Sequence, residues 1–84
     1  MKSNDIDIGK IIQKKIKEDG HSITWVARKM NCDRTNIYKI FQNSHINTLQ
    51  LLRISKVLNY DFFIHFSEYF AENKKSVEFF ATEM

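Results

Sequence analysis

The stretch Ser22–Asn43, SITWVARKMNCDRTNIYKIFQN, decides how this chain folds. It holds two short helical patterns separated by a polar break at Asn31–Asp33. Val26, Ala27, Met30, Cys32, Ile37 and Ile40 are spaced to hold two such helices together. Between them Arg34, Thr35, Asn36, Tyr38 and Lys39 are left pointing outward. Two helices set at a steep angle by a short connection can push the second into the major groove of DNA. An arginine can donate two hydrogen bonds to the groove edge of guanine, and an asparagine can pair with adenine. Tyr38 suits a phosphate or a thymine methyl. This set of side chains fits base edges and phosphates better than it fits catalysis.

Working outward, Ile8, Ile12 and Ile16, with Ile11 beside them, predict a first helix over about Ile6 to Glu18. Lys10, Lys14, Lys15 and Lys17 take up much of the rest of its surface, and Gly20 supplies the left-handed residue that ends it. Ser22 caps a second helix to Met30, and Asp33 caps a third over Arg34 to Gln42. Asn47 caps a fourth over Thr48 to Leu58, with Ile46 and Leu51 placed to form a hydrophobic staple. Asp61 can cap a fifth helix reading FFIHFSEYFAE. Residues 1–5 read as a disordered start, and the final KKSVEFFATEM is ambiguous between frayed helix, short strand and tail. The expectation is an all-α, compact domain of four to five helices over residues 1–71, followed by a tail, 72–84, that is a candidate dimerisation element.

The same residues resemble the lambda-repressor-like (Cro/C1, XRE-type) helix-turn-helix family. Its pattern is met by Ser22, Val26, Ala27, Asn31 as the glycine-like turn residue, Cys32, Asp33, the exposed Arg34–Asn36, and Ile37. Ile8-Gly9-Lys10 and Gly20-His21-Ser22 bracket a first helix as in that family, and the run from Leu51 to Leu58 looks like its fourth. Ser55 sits where the family often has alanine, a place that needs a small side chain. The resemblance implies that residues 34, 35 and 39 are among those that read bases. Three positions depart from it. Ile23 stands where the family usually has a glutamine that touches phosphate, so that contact is not expected. Phe41 replaces a common glutamate and is read as a filler under helix four. Asn43 replaces a glycine and is expected to take the left-handed position.

Composition narrows the class. Eighty-four residues make one small core, and no run is long and apolar enough for a membrane span. One cysteine forms no intramolecular disulfide, so a reduced, cytoplasmic (nucleoid-associated) protein is expected, with Cys32 as an apolar filler. Residues 1–60 carry a net charge of +6 and residues 61–84 one of −3, as suits a first part facing a polyanion. His21, His45 and His65 lie about twenty positions apart, with no metal-ligand pattern. No nucleophile has a recognisable base, and no glycine-rich phosphate loop is present, so neither an enzyme nor a cofactor is expected.

Phosphate contacts are expected from helix starts and from the loop after helix three: Ser22 and Thr24, then Asn43, Ser44, His45, Asn47 and Thr48. Eight of eleven aromatics lie from Tyr60 onward. Phe62, Phe63, Phe66, Tyr69 and Phe70 need a wide apolar arc, which a homodimer would cover. The other reading is that Phe79 and Phe80 fold back over it within one chain. The functional expectation is sequence-specific binding of duplex DNA as a dimer, in a transcriptional regulator of repressor type. The alternative is a protein-interaction module, such as an antitoxin or adaptor, on the same fold.

Overall fold

The computed structural model describes residues 6–72, all of whose regular structure is helical: α1 (Ile8–Glu18), α2 (Ile23–Met30), α3 (Arg34–Gln42), α4 (Thr48–Leu58) and α5 (Phe63–Glu72). The expectations for residues 1–5, for Phe79 and Phe80 and for the rest of the tail beyond Glu72 lie outside the described residues. The principal packing runs α1 on α3, α3 on α2 and α2 on α4. Ile8, Ile12 and Ile16 of α1 are buried together with Val26, Ala27 and Met30 of α2. Ile37, Ile40 and Phe41 of α3, and Leu51, Ile54 and Leu58 of α4, close the same core. None of the described helices is long and apolar enough to cross a membrane.

Capping sets the boundaries. Asp7 Oδ1 accepts from the Lys10 backbone N–H at 3.3 Å, so α1 starts at Ile8 rather than at Ile6. Ser22 Oγ accepts from Trp25 N–H at 3.0 Å, and Asn47 Oδ1 from Gln50 N–H at 2.7 Å. Asp33 has N-cap backbone angles, but its carboxylate accepts no capping bond; the Asp33 carbonyl takes the Asn36 N–H instead. Asp61 accepts from Phe63 N–H at 2.9 Å, which starts α5 at Phe63. Ile46 packs against the core that contains Leu51, as a staple requires.

Three helices stop alike. Gly20 (φ 75°), Asn31 (φ 58°) and Asn59 (φ 52°) are left-handed, and the next residue's N–H reaches back to Ile16, Ala27 and Ser55 O, respectively. Asn43 does not follow them. It is extended (φ −98°, ψ 134°), against the left-handed expectation. Asn43 Nδ2 instead donates to Lys39 O at 2.9 Å, satisfying a carbonyl that a reversed chain would otherwise serve. The extended chain delivers Ser44 O to the Ile8 N–H, 3.4 Å away.

Phe41 is buried in the core that α4 also closes, beside Ile16 of α1 and Ile23 of α2 and edge-on to Tyr38 at 6.1 Å. The larger correction is Phe62. Its side chain is fully buried, with Tyr60 edge-on at 4.8 Å, so it belongs to the monomer core and not to a dimer face. Phe63 and Tyr69 are half-buried. From Phe63 onward α5 buries no residue completely, and Ile64, Phe66 and Phe70 are exposed.

Gly9 sits where α1 crosses the end of α3. A Cβ there would lie 2.8 Å from Phe41 O and closer still to Ile40 and Asn43 O, all backbone atoms that cannot swing away. Gly9→Ala is therefore expected to destabilise by about 3 kcal/mol in urea titration, overwhelming the roughly 1 kcal/mol that alanine gains in a helix. Gly20→Ala, with open space around it but a left-handed φ, should cost only about 1 kcal/mol.

Candidate nucleic-acid interface

The outer face of α3 is made by its own register. Ile37, Ile40 and Phe41 are buried, which turns Arg34, Thr35, Asn36, Tyr38 and Lys39 to the surface. Tyr38 is 49% exposed, yet its ring leans on Phe41, so the phenol end is the part presented outward. Neither Arg34 nor Lys39 makes an ion pair among the described residues. The first turn of α3 thus carries Arg34, Thr35 and Asn36 with their polar ends uncommitted.

The residues expected to meet phosphates fall into three places. Ser22 and Thr24 are exposed at the start of α2, and Ser22 shares a cleft with Tyr38. Asn47 and Thr48 are exposed at the start of α4. The N–H groups of Ile23, Thr24, Thr48 and Leu49 have no acceptor among the described residues, as befits first-turn donors. Ser44 and His45 instead line a groove with Ile6, Ile46, Phe66 and Tyr69, where the expected phosphate and dimer sets meet. Asn43 is tied to Lys39 through its side chain.

The turn between α2 and α3 is held from the far side. Arg53 of α4 donates from Nη2 to Met30 O at 3.2 Å, fastening α4 to the end of α2. No local pattern announces this role, since Arg53 reads as one more charged residue on a helix. Beside it, Cys32 is half-buried. Burial pushes its thiol above the ordinary value, the Asp33 carboxylate adds to the rise, and the Arg53 guanidinium offsets part of it. Asp33 thus acts here by charge rather than as a hydrogen-bonding cap.

Tyr60 and His65 join the α4–α5 connection to α5 through a 2.8 Å hydrogen bond, and Lys15 Nζ lies 4.6 Å from the Tyr60 ring centre. Trp25 is half-buried, packed on the core. Among the described residues no group of three His, Cys, Asp or Glu is gathered closely enough to hold a metal ion. No protein-family model, curated protein or solved structure matches the chain.

Only the thiolate is alkylated readily, and a raised thiol pKa lowers its fraction at any given pH. Cys32 in the folded chain should therefore react with iodoacetamide near pH 8 more slowly than in the urea-unfolded chain. Arg53→Ala, by removing the offsetting charge, should slow the folded protein further. Equal folded and unfolded rates would contradict this account.

Proposed function

We infer that this chain is a lambda-repressor-like regulator that binds duplex DNA sequence-specifically, as a homodimer, with α3 in the major groove. The observation that carries the reading is the outer row of α3. Five polar or amphipathic side chains, none with a side-chain hydrogen bond or ion pair among the described residues, stand on a helix whose other face is buried. The capped starts of α2 and α4 support it, because their free N–H groups suit anionic oxygens without base preference. The charge distribution along the chain supports it too: α5 and the turn before it carry Asp61, Glu68 and Glu72 and no Lys or Arg, whereas the first four helices are basic. Arg34 is assigned a guanine-type edge, Asn36 an adenine-type edge, and Thr35, Tyr38 and Lys39 neighbouring bases or phosphates. A DNA reader of this kind works in the cytoplasm, on the nucleoid, and needs no cofactor.

Selection of bound duplexes from a random pool tests the reading. On the selected site, Arg34→Ala is expected to cost about 1–3 kcal/mol and to relax preference at one base pair. Lys39→Ala should lower selectivity if it reads a base, or reduce the salt slope by about 1 if it touches phosphate. Unchanged binding by both variants would remove α3 as the reader.

The dimer is assigned to the exposed part of α5, on Ile64, Phe66 and Phe70, without Phe62. Phe70 is the most exposed of these at 55%. Phe70→Glu should convert a sedimenting dimer to a monomer with unchanged helicity, and abolish cooperative occupancy of two half-sites. Phe62→Ala, by contrast, should unfold the monomer at a cost of about 3–5 kcal/mol. A parent that sediments as a monomer at micromolar concentration would end the dimer assignment.

A second reading, a protein-interaction module, draws on Leu49 and Leu52, which are 67% and 41% exposed on α4. A large apolar side chain beside Thr48 adds nothing to phosphate binding. Generic duplex DNA separates the two: a sharply salt-dependent mobility shift favours the regulator, and its absence favours the module.

A further inference from the structure

We propose that Lys17 and His21 form a phosphate clamp at the edge of the α3 face, standing in for the polar contact that Ile23 does not provide. The clamp rests on the DNA-binding reading above and names a contact outside its expected set. Ile23 is half-buried and packed on the core, so the first position of α2 offers an apolar wall, shared with Ile16 and Phe41, rather than a polar contact. A cleft of about 330 Å³ opens beside it, between α1, the start of α2 and α3. Gln13 and Lys17 come to it from α1, His21 and Ser22 from the α2 start, and Tyr38 from α3. No carboxylate lines it.

Lys17 stands apart from the other lysines of α1. Lys10 pairs with Asp7, Lys14 with Glu18 and Lys15 with Asp19, whereas Lys17 has no ion pair among the described residues. Its charge is left in a cleft whose other polar groups are donors or amphoteric. His21 is held in place: its ring lies flat on Trp25, with centroids 3.9 Å apart and planes within 7°. That stacking removes rotamer freedom before any ligand arrives, which lowers the ordering cost of binding. Ser22 Oγ accepts from Trp25 N–H, leaving its hydroxyl proton to donate outward. A phosphate oxygen in this cleft would meet an ammonium, an imidazole N–H and a hydroxyl at once. Its neighbour Tyr38 would lie on the base side of the same strand.

The groups facing His21 are Lys17 from α1 and Tyr38 from α3; on α2 itself it faces Trp25, whose ring also has Lys29 Nζ 5.7 Å from its centre. A phosphate held against a histidine ring favours its charged form. Binding therefore takes up a proton, and affinity rises as pH falls through the range of about 5–8 where histidine gains charge.

The test titrates the full chain with generic duplex DNA by anisotropy, at several salt concentrations and between about pH 6 and pH 8. Lys17→Gln is expected to weaken binding roughly three- to tenfold and to reduce the salt slope by about 0.9, with Lys17→Arg restoring the slope. His21→Gln should bind progressively worse than the parent as pH falls, with His45 held constant in both. Circular dichroism checks that each variant keeps its helices. If the parent binds with a steep salt slope while both glutamine variants retain its affinity, slope and pH profile, the clamp is wrong and the DNA reading stands. If the parent shows no salt-dependent binding, both fall together.

Discussion

Everything in the arrangement of this domain depends on how closely α1 is allowed to approach the end of α3. Gly9 permits that approach, with three backbone oxygens occupying the space a side chain would need. The positive end of the α1 dipole then faces the negative end of α3, and the Ile8 N–H meets Ser44 O. With this crossing fixed, Ile8, Ile12 and Ile16 fall onto the α2–α3 pair, and Gln13 and Lys17 are carried to the edge of the α3 face. A looser crossing would displace both the core stripe and the polar cleft, because one rigid helix carries them.

The helices were legible in the sequence wherever burial periodicity and capping agreed. The α1 stripe, the Ser22 and Asn47 caps and the breaks at Gly20 and Asn31 all fall where isoleucine spacing and turn chemistry put them. The same chemistry misled at Asn43. An asparagine after a helix has two ways to serve the last carbonyls, by reversing the backbone or by donating its own amide, and only the tertiary path of the chain selects between them. Asp33 is a similar case: the backbone adopts the cap, while the side chain does not. The burial of Phe62 is not legible because five aromatics in nine residues give no clean period from which spacing alone could apportion it.

The outer row of α3 was legible for a different reason. Once Ile37 and Ile40 are inside, helical geometry leaves its neighbours no other place. What spacing does not reveal are partners brought together from distant positions. Arg53 reaches Met30 O across 23 positions of sequence, and Lys17 comes to share a cleft with Tyr38 only through the α1–α3 crossing. Ser55 of α4 shows a compromise: it is small enough to be buried, yet its hydroxyl finds no partner among the described residues.

The attachment of α5 has a mechanical consequence. Beyond Phe62 this ten-residue helix buries no side chain fully, so it is an arm of about 15 Å whose pivot is the buried Phe62 beside the half-buried Phe63, braced by the Tyr60–His65 bond and the half-buried Tyr69. A rotation of about ten degrees at the pivot moves the far end by about 2.6 Å, from the helical rise alone. Whatever the arm carries is thereby aimed by the packing around Phe62. Small repacking beneath that ring would re-aim the exposed aromatics without touching α3. The placement of the α5 aromatics and the chemistry of the outer α3 row can thus be tuned by separate sets of side chains.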